Sequence, residues 1–426
     1  MRIVFVETPS PWLVRQHAQL PLGPLYLATI IKMAGHEVGI LRMDDMRDVF
    51  RLGDNDVVCF SGTTLEYPTV EACAKTIREK NLSVSLWYGG PHATADSANL
   101  VSSGLFDSVS VGESEGHILQ MLEDVVAGRL APLYGPTPLE IDEIPFPDRS
   151  LVDGSHGEDI FAYGRNYKGH GHENVITSRG CIWNCAFCSS RSMFPKVRWR
   201  SATNVLDEIE GIVGKSDCRQ IRFSDDEMMA KKSRLAEICK GLSGMGCVWR
   251  CSARADSMSA DLCRMMYEGG CREVSVGVES ADQRVLDCLG KKTSVEAIEE
   301  GCRAAMQAGI KVRGLFMIGT PGERENTPEM NKSLLNCGVF DSVTLSTFVP
   351  LPGSAIWANP SSYGCEIIPM DFSMYNKDFW VREGDGKKER ETCVTIRSRF
   401  LKHEQQVDNI RRMKRYVLES GKCNIG

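Results

Sequence analysis

The sequence contains no apolar run long enough to cross a lipid bilayer. Its longest apolar stretches, such as YLATIIKMAG at residues 26–35, stop well short of the roughly 18 residues that a transmembrane helix needs. The opening residues MRIVFVETPS lack the apolar core and cleavage site of a secretory signal peptide, and their pattern predicts a strand instead. We therefore expect no membrane span and a cytoplasmic location.

The sequence also lacks the positive charge excess that is typical of nucleic-acid-binding proteins. Its 50 Lys and Arg residues are outnumbered by 56 Asp and Glu residues, and the net charge of −6 argues against nucleic acid as a partner. Most of the 17 cysteines lie inside apolar segments, where we expect small buried thiols and no disulfide framework. A length of 426 residues with 42% apolar content predicts two or three globular domains.

Residues 1–127 alternate short strands rich in Val and Ile with helices. This alternation predicts an α/β domain with a Rossmann-like parallel sheet. Glycines recur where the predicted strands end, at the carboxyl edge where open α/β sheets bind ligands. The alternative is that each glycine only permits a tight turn. These glycines are Gly62, Gly89, Gly90 and Gly112.

The remainder of the chain divides into three parts. Residues 128–172 are rich in Pro, Gly and Asp and predict a linker. Residues 173–360 repeat the strand–helix alternation six times, which predicts a partial (β/α)6 barrel. Residues 361–426 end in a basic helical run and predict a short, mainly helical capping segment.

A cysteine-rich loop, TSRGCIWNCAFCSS, follows the first strand of this second array. Its thiols belong to Cys181, Cys185 and Cys188. Four interpretations are open: a disulfide, a zinc site, buried thiols, or an iron–sulfur cluster that lacks one protein ligand. An odd number of thiols in a reducing compartment argues against a disulfide.

Zinc and iron–sulfur sites differ in the ligands that they need. Structural zinc takes four ligands, and only His170 and His172 lie close before this loop, without a second CxxC pair. A [4Fe–4S] cluster that only carries electrons takes four thiolates, so three leave one iron open to a substrate or cofactor. The cysteine count therefore favours an iron–sulfur cluster with an open iron.

The spacing CxxxCxφC, with Phe187 as the aromatic φ, resembles the signature of the radical SAM superfamily. The resemblance implies that S-adenosylmethionine chelates the open iron. It also implies that an electron from a donor such as a flavodoxin or ferredoxin generates a 5′-deoxyadenosyl radical, which abstracts hydrogen from a substrate. In such enzymes the cofactor carries the difficult chemistry, and the protein supplies the site.

Four further segments resemble the same superfamily: IRFSDDEM, WRCSARAD, SVGVESAD and MIGTPGE. The resemblance implies that the first lies near the cofactor or substrate, that Arg254 pairs with the cofactor carboxylate, that the third lies near the ribose, and that the fourth lies against the adenine. For Asp225 and Arg254 the alternative is a structural role in capping a helix or bridging loops. The implied side chains are Asp225, Asp226 or Glu227, Arg254, Glu279 and Ser280.

A Rossmann-like domain before such a barrel resembles the cobalamin-binding-domain subgroup of the superfamily, on the segments LPLGPLYLATIIKMAGHEV, FSGTT, YGGPHAT and SVSVGESE. The sequence lacks D-x-H-x-x-G, so no histidine is evident as the lower axial ligand. His92 could line the pocket, although a lone loop histidine is commonly solvated. The residues implied in binding cobalamin are Gly62, Thr63, Thr64, Gly89, Gly90, His92, Gly112 and Glu113.

The subgroup resemblance implies a methyltransferase in which methylcobalamin delivers a methyl group to an unactivated carbon of a small or medium-sized molecule. A radical cyclisation, rearrangement or oxidation without methyl transfer is the alternative. An iron–sulfur electron carrier or sensor is a third hypothesis, against which the three-cysteine count argues. The sequence names neither the substrate nor the oligomeric state.

Overall fold

The computed structural model divides the chain into two compact units, Met1–Ala162 with Ser189–Arg198 and Tyr163–Cys188 with Trp199–Gly426. His170, considered above as a zinc ligand, lies outside the described residues. The structure describes residues 1–10, 19–43, 46–52, 57–80, 84–152, 172–215, 218–375, 380–383, 386–389 and 393–423.

The first unit is built around a parallel sheet whose strands are ordered β2-β1-β3-β4-β5-β6. Its strands are β1 (Arg2–Glu7), β2 (Glu37–Arg42), β3 (Val57–Ser61), β4 (Ser85–Gly89), β5 (Ser108–Ser110) and β6 (Leu133–Tyr134). Its helices are α1 (Leu22–Met33), α2 (Tyr67–Glu79), α3 (Pro91–Ala95), α4 (Ser97–Ser103), α5 (Ile118–Val126) and α6 (Ser190–Met193).

The central strands of this sheet are apolar at consecutive positions, as expected for a sheet that helices cover on both faces. Consecutive residues of β1, such as Ile3 and Val4, belong to two different hydrophobic cores. The first core includes side chains of α2, and the second includes side chains of α1 and α5. The strand order changes direction between β1 and β3. In open α/β sheets, such a switch point leaves a crevice for a ligand at the carboxyl edge.

The last strand of this sheet, β6, lies inside the stretch that the sequence predicts as a linker. It extends the sheet by pairing with β5, Val109 beside Leu133. The composition of residues 128–172 gives no signal for a strand of two residues. The domain boundaries at 127, 172 and 360 stay predictions.

The second unit contains one large parallel sheet and several short elements. Its strands are β7 (His172–Val175), β8 (Ser178–Arg179), β9 (Arg198–Trp199, which begins in the first unit), β10 (Gln220–Phe223), β11 (Val248–Ala253), β12 (Cys271–Glu279), β13 (Lys311–Ile318), β14 (Ser342–Thr347), β15 (Cys365–Ile367), β16 (Trp380–Glu383), β17 (Gly386–Glu389) and β18 (Ile396–Ser398). Its helices are α7 (Ala202–Lys215), α8 (Lys232–Ser243), α9 (Ala260–Glu268), α10 (Gln283–Cys288), α11 (Val295–Gln307), α12 (Thr327–Asn336), α13 (Ala355–Ala358) and α14 (His403–Glu419).

The large sheet has six parallel strands in the order β14-β13-β12-β11-β10-β7, so each strand pairs with its successor in the array. One face carries the apolar side chains, including Ile221, Val276 and Phe316, that form a core with the surrounding helices. This arrangement confirms the predicted α/β fold class, with a parallel sheet in each unit. The carboxyl edge of the sheet is where ligands bind in such folds.

The long helix α14 dominates the described part of the C-terminal segment, as expected. The segment also contains two antiparallel strand pairs that we did not expect, β15 with β18 and β16 with β17. The short strands lack the length that makes a period of two visible in a sequence. Among the described residues, no helix is long and apolar enough to cross a membrane.

Candidate functional site

The cysteine loop follows β8 at the carboxyl edge of the second sheet. Cys181 and Cys185 are half-buried, and Cys188 is exposed. The backbone N–H of Ala186 donates to the carbonyl of Leu289 at 2.8 Å, which fixes the middle of the loop to the end of α10. The loop therefore presents three thiols from an anchored backbone.

Phe187, the aromatic residue of the motif, is half-buried against an apolar cluster. That cluster contains Ala186, Val285, Leu289 and Phe348. The aromatic ring thus gives the loop an apolar anchor next to two of its cysteines. A direct contact between Phe187 and a cofactor stays a prediction.

Arg254, which follows β11, ties the loop to its surroundings. Its guanidinium donates to both carboxylate oxygens of Asp256, at 3.0 and 2.6 Å, and to the carbonyl of Lys291 at 2.6 Å. Its Nη1 lies 3.7 Å from Sγ of Cys185, and its planar group lies 3.9 Å from the ring centre of Trp183. A guanidinium held on several sides in this way is well placed to position Cys185.

A buried ion pair lies at the end of β12. The Nζ of Lys291 is 2.5 Å from Oε1 of Glu279, and both side chains are nearly inaccessible to solvent. Glu279 has a φ of +62°, which is unusual for a residue other than glycine and marks a constrained backbone. A Cβ at Gly277 would lie 2.6 Å from the Glu279 carboxylate and 2.7 Å from Nζ of Lys291, so only glycine leaves room for the pair.

Ser280, the other residue predicted at the end of β12, is directed toward the protein interior. Its hydroxyl donates to Oδ1 of Asn331 at 3.1 Å and accepts from the backbone N–H of Asp282 at 3.1 Å. Ser280 is 1% exposed. These contacts give Ser280 a role in shaping the turn after β12, and its contact with a ribose stays a prediction.

The thiols lie among groups that affect their ionisation in opposite directions. Burial, with a smaller effect of the carboxylates of Glu227 and Asp226, raises the pKa of Cys181 to about 11. Burial also raises the pKa of Cys185, but the cations Lys291 and Arg254 oppose this effect. A bound metal would have to displace these protons, and the two cations would compensate the negative charge of a thiolate-bound cluster.

The three thiols fit an iron–sulfur cluster in number and in chemistry. Within the described parts of the chain, no three His, Cys, Asp or Glu side chains converge into a preformed metal site. Metal ligands commonly assemble only when the metal binds. The assignment of an iron–sulfur cluster therefore depends on the number and kind of ligands, and the three cysteines are the residues that would hold the cluster.

Asp225 is buried and fully engaged with the end of the first barrel strand. Its carboxylate accepts from the backbone N–H of Thr177 at 2.7 Å, from the Thr177 hydroxyl at 2.5 Å and from the Ser178 hydroxyl at 2.5 Å. Burial raises its pKa despite these donors. Asp226, the next residue, is exposed. The carboxylates of Asp225 and Asp226 therefore do not belong to the same site.

We expect Asp225→Ala to lower the free energy of unfolding of the second unit by about 3 kcal/mol, because three donors to a buried carboxylate would lose their acceptor. Urea unfolding followed by circular dichroism measures this loss. Asp226→Ala, at the exposed neighbour, is the matched control and should cost less than about 0.5 kcal/mol. Equal losses for the two variants would contradict a structural role for Asp225.

Glu227 is the third carboxylate of this segment, and it is 2% exposed. Its Oε1 accepts from the backbone N–H of Met229 at 2.9 Å, while its Oε2 has no hydrogen-bond partner among the described residues. Burial raises its pKa to about 7, and the positive charge of Arg254 opposes that effect. A buried carboxylate with an unpartnered oxygen close to Cys181 is the strongest candidate in this segment for a contact with a bound molecule.

The turn after β13, which the sequence places against the adenine, contains a second buried carboxylate that sequence reasoning did not single out. Glu323 is 1% exposed and accepts from the backbone N–H of Thr320 at 2.8 Å. Asn409 of α14 donates to its other oxygen at 3.3 Å. Burial raises the pKa of Glu323 to about 7. The only feature of the sequence that indicated Glu323 was its place in the motif TPGE.

Glu323 predicts a pH dependence of stability. Because its pKa is raised to about 7 from 4.5, the folded protein binds this proton more tightly than the unfolded chain. Its contribution is fully present below pH 4.5 and is lost as the pH rises through about 7, with a total on the order of 3 kcal/mol. In Glu323→Gln, the decrease in the free energy of unfolding between pH 5 and pH 8 should be smaller by roughly that amount, as measured by urea unfolding.

The exposed carboxylate Glu325 provides the control for this prediction. Glu325→Gln should leave the pH dependence of the free energy of unfolding the same as in the unmodified protein. If Glu323→Gln also left it unchanged, the buried carboxylate would not be the source of the pH dependence.

In the first unit, the loop after β3 lies at the switch point of the sheet. The backbone N–H of Thr63 donates to Oε2 of Glu66 at 2.9 Å, and its hydroxyl contacts the same oxygen. Ser10, which follows β1, donates to Oε1 of Glu66 at 3.0 Å. Glu66 therefore connects the carboxyl ends of β1 and β3, a role that sequence reasoning missed because Ser10 and Glu66 are 56 residues apart.

The alternative weighed for His92, a solvated loop histidine, is wrong because its side chain is fully buried, and its place in the cobalamin pocket stays a prediction. Its Nδ1 lies 3.1 Å from the hydroxyl of Thr64, and its ring centre lies 4.3 Å from that of Tyr67. Burial lowers its pKa to about 4, so it is neutral at physiological pH. His92 thus supports Thr64 from inside the domain.

Glycines form much of the remaining edge. Gly90 has a φ of +88°, and a Cβ there would lie 2.6 Å from the hydroxyl oxygen of Ser61. Gly112 has a φ of +68°, and a Cβ there would lie 2.7 Å from Pro136. A Cβ at Gly89 would make only ordinary contacts, so this glycine is explained by its place at the end of β4.

Glu113 is buried and forms an ion pair with Arg198 of the segment Ser189–Arg198. Arg198 also donates to the carbonyl of Leu139 at 2.6 Å. In the same unit, the hydroxyl of Thr94 lies 3.3 Å from Sδ of Met193 and accepts from the backbone N–H of Gly112 at 2.8 Å. The segment that follows the cysteine loop is therefore part of the glycine-lined edge of the first unit.

The fit of cobalamin rests on this edge. Tyr88 is 1% exposed, and its hydroxyl has no hydrogen-bond partner among the described residues. That hydroxyl lies 3.8 Å from where a Cβ of Gly62 would be. An edge that contains several glycines, next to a buried hydroxyl without a hydrogen-bond partner among the described residues, allows close approach of a large polar ligand to the backbone.

Comparisons with known proteins agree with this geometry. A model of the radical SAM superfamily matches residues 175–334, and a model of the B12 binding domain matches residues 14–121. An uncharacterized methyltransferase of Pyrococcus horikoshii is 28% identical over 390 residues, which cover 84% of this chain and 82% of that protein. The anaerobic magnesium-protoporphyrin IX monomethyl ester cyclase of Rubrivivax gelatinosus is 24% identical over 384 residues, covering 84% and 68%.

Among solved structures, the fold is similar to that of the radical S-adenosylmethionine methyltransferase TsrM from Kitasatospora setae, which was solved with cobalamin and a [4Fe–4S] cluster bound. The TM-score is 0.68 at 15% sequence identity, and the match covers 88% of this chain and 79% of TsrM. Residues 175–334 therefore form a radical SAM domain and residues 14–121 a B12-binding domain, which is the domain pair of cobalamin-dependent radical SAM enzymes.

Proposed function

We propose that this enzyme is a cobalamin-dependent radical SAM methyltransferase that acts on an unactivated carbon of a small or medium-sized molecule. The observation that carries the proposal is the presence of a B12-binding domain and a radical SAM domain in one chain. The match to a methyltransferase of Pyrococcus horikoshii over most of both chains supports methyl transfer as the reaction.

In the second unit, the residues hold and position the cofactors. When bound, the cluster and S-adenosylmethionine supply a radical that takes hydrogen from carbon, and cobalamin supplies the methyl group. Cys181, Cys185 and Cys188 would hold the cluster, and three thiolates would leave one iron open to S-adenosylmethionine. Arg254 holds Cys185 by its contact at 3.7 Å, and the buried pair of Lys291 and Glu279 fixes the adjoining edge.

In the first unit, hydrogen bonds connect the loops at the carboxyl edge where cobalamin would bind. Glu66 joins the loop after β3 to Ser10, and His92 supports Thr64 from below. Gly90 and Gly112 have positive φ angles at this edge, and a Cβ at either position would collide with Ser61 or Pro136. The absence of D-x-H-x-x-G from the sequence leaves the lower face of cobalamin without an evident histidine ligand.

The surroundings of the reaction belong to the same proposal. The substrate is a small molecule, and a flavodoxin or ferredoxin supplies the electron that reduces the cluster. All 17 cysteines are free thiols, which fits a reducing cytoplasm.

A substrate-independent experiment tests methyl transfer. The anaerobically reconstituted, reduced protein is incubated with S-adenosylmethionine that carries a deuterated methyl group, and the extracted cobalamin is analysed by mass spectrometry. We expect the labelled methyl group to be recovered with the cobalamin. Cobalamin that stays unlabelled while deoxyadenosine accumulates would contradict methyl transfer.

That contradicting result would favour a second candidate function, radical cyclisation or oxidation without methyl transfer. The specific observation behind it is the similarity to the cyclase of Rubrivivax gelatinosus over 384 residues. Both candidates use the cysteine loop in the same way, so only the fate of the methyl group separates them.

A further inference from the structure

The loop that follows β5 is held on one side by a buried network of polar side chains. The loop comprises residues 111–117, which contain no helix or strand. Nε2 of His117 lies 2.8 Å from the hydroxyl of Ser110, and that hydroxyl lies 2.7 Å from the hydroxyl of Ser114. These three residues are each 6% exposed. Buried polar groups need partners inside the protein, so the network constrains the loop.

Residues 134–137 hold the same loop from its other side. The backbone N–H of Val111 donates to the carbonyl of Tyr134 at 2.9 Å. The backbone N–H of Thr137 donates to the carbonyl of Glu113 at 3.0 Å. A stretch that the sequence predicts as part of a linker therefore supports the loop through its backbone.

His117 connects the two sides of the loop. Its Nδ1 lies 3.2 Å from the hydroxyl of Thr137, and its ring lies nearly parallel to that of Tyr134, with centres 5.7 Å apart. Burial lowers the pKa of His117, although the negative charge of Glu115 opposes this effect. The ring is therefore neutral at physiological pH. A neutral imidazole donates from one nitrogen and accepts at the other, and hydroxyl groups serve as partners for both.

We propose that His117 is a positioning residue for cobalamin. By joining the two sides of the loop, it holds Gly112 and Glu113 at the carboxyl edge where cobalamin would bind. The inference rests on the proposed function, since it requires cobalamin at this edge. The match to the B12 binding domain, residues 14–121, includes the whole loop and His117.

Spectroscopic titration with hydroxocobalamin tests this role in the full-length, anaerobically reconstituted protein. We expect His117→Ala to bind hydroxocobalamin at least about tenfold more weakly, because the two sides of the loop lose their side-chain connection. The iron content should stay that of the unmodified protein, since the cysteine loop is unchanged. His117→Gln should bind more tightly than His117→Ala, because the end of its amide can replace Nε2 as the partner of Ser110.

The matched control is Thr29→Val, which removes buried hydrogen bonds elsewhere in the first unit. Thr29 on α1 is 6% exposed. Its hydroxyl donates to the carbonyl of Leu25 and accepts from the backbone N–H of Asp148, both at 2.7 Å. Thr29→Val should lower the unfolding temperature, as His117→Ala does, but should bind hydroxocobalamin within about twofold of the unmodified protein. Cobalamin affinity thus separates a positioning role from a loss of stability.

Gly116→Ala disturbs the same connection without changing His117. The backbone N–H of Gly116 donates to the carbonyl of Thr137 at 3.2 Å. A Cβ at Gly116 would collide with that carbonyl oxygen and lie 2.7 Å from Cγ2 of Thr137, so residues 134–137 would have to move away. We expect the affinity for hydroxocobalamin to fall at least about fivefold. Gly135→Ala is the control and should retain the affinity, because a Cβ there meets nothing within 4 Å.

Three results would overturn the inference. They are unchanged affinity in His117→Ala, equal affinity of His117→Gln and His117→Ala, and an equal loss of affinity in His117→Ala and Thr29→Val. The titration does not depend on methyl transfer. Weaker binding by His117→Ala with no labelled cobalamin would contradict the proposed function alone. Labelled cobalamin with unchanged affinity in His117→Ala would contradict this inference alone.

Discussion

Replacing Cys185 by alanine is expected to abolish production of 5′-deoxyadenosine, with at least a thousandfold loss that no added iron or S-adenosylmethionine restores. Cys185 supplies one of three thiolates, and a cube held by two ligands is neither stable nor correctly placed. Its Sγ is also the atom that Arg254 approaches at 3.7 Å, so the variant removes both a ligand and its positioning contact. Chromatographic measurement of deoxyadenosine after anaerobic reconstitution and reduction gives the result.

The control for this variant is Cys337→Ala. Cys337 is a half-buried thiol at the end of α12, outside the cysteine loop. This substitution should keep the iron content and the deoxyadenosine yield within about twofold, as expected for loss of a small hydrophobe. If the Cys185 variant retained turnover similar to that of the control, the assignment of the cluster to this loop would be wrong.

Gly90→Ala is expected to weaken cobalamin binding at least tenfold and to leave the iron–sulfur cluster intact. At φ +88° any side chain is strained, and the new Cβ would lie 2.6 Å from the hydroxyl oxygen of Ser61. The edge must shift to relieve the contact, and the cobalamin site shifts with it. Spectroscopic titration with hydroxocobalamin measures the affinity, and iron analysis confirms the second cofactor.

Gly104→Ala separates backbone strain from a change in the edge. Gly104 also has a positive φ, +62°, but a Cβ there meets nothing within 4 Å. This control should lose stability by about 1 kcal/mol and retain cobalamin affinity. Equal loss of affinity in the two variants would show that destabilisation of the domain, rather than the glycine edge, explains the result.

The parallel sheets and the cysteine loop could be predicted from the sequence because their signals are local. Apolar and polar residues alternate along strands such as β12 and β14, and the strands of the large sheet pair in the order of the array. The three cysteines lie within eight positions, so their chemistry is visible without knowledge of the fold. Local patterns of this kind determine element type and class of chemistry.

Contacts between distant residues could not be predicted. Glu113 and Arg198 form an ion pair across 85 positions, and Asp225 accepts from Thr177 across 48. The sequence suggests Asp225 as a cofactor residue because it follows a strand, but its donors are visible only in the structure. His92 likewise belongs to a loop by its sequence, and only the packing of Tyr67 shows that it is buried.

Neighbours on different strands were missed for a related reason. An arginine between two apolar residues, such as Arg222 between Ile221 and Phe223, is the ordinary pattern of a strand with one solvated face. The register of β10 and β11 places Arg222 beside Arg250, and neither strand alone reveals this neighbour.

The most direct test of the central claim is the cofactor content of the full-length protein after anaerobic reconstitution. Iron and sulfide analysis with electron paramagnetic resonance reports the cluster, and the visible absorption of cobalamin reports the second cofactor. We predict one [4Fe–4S] cluster and close to one cobalamin per chain, as the pairing of a radical SAM domain with a B12-binding domain requires. A protein that holds the cluster but has no measurable affinity for cobalamin would contradict the proposed methyltransferase.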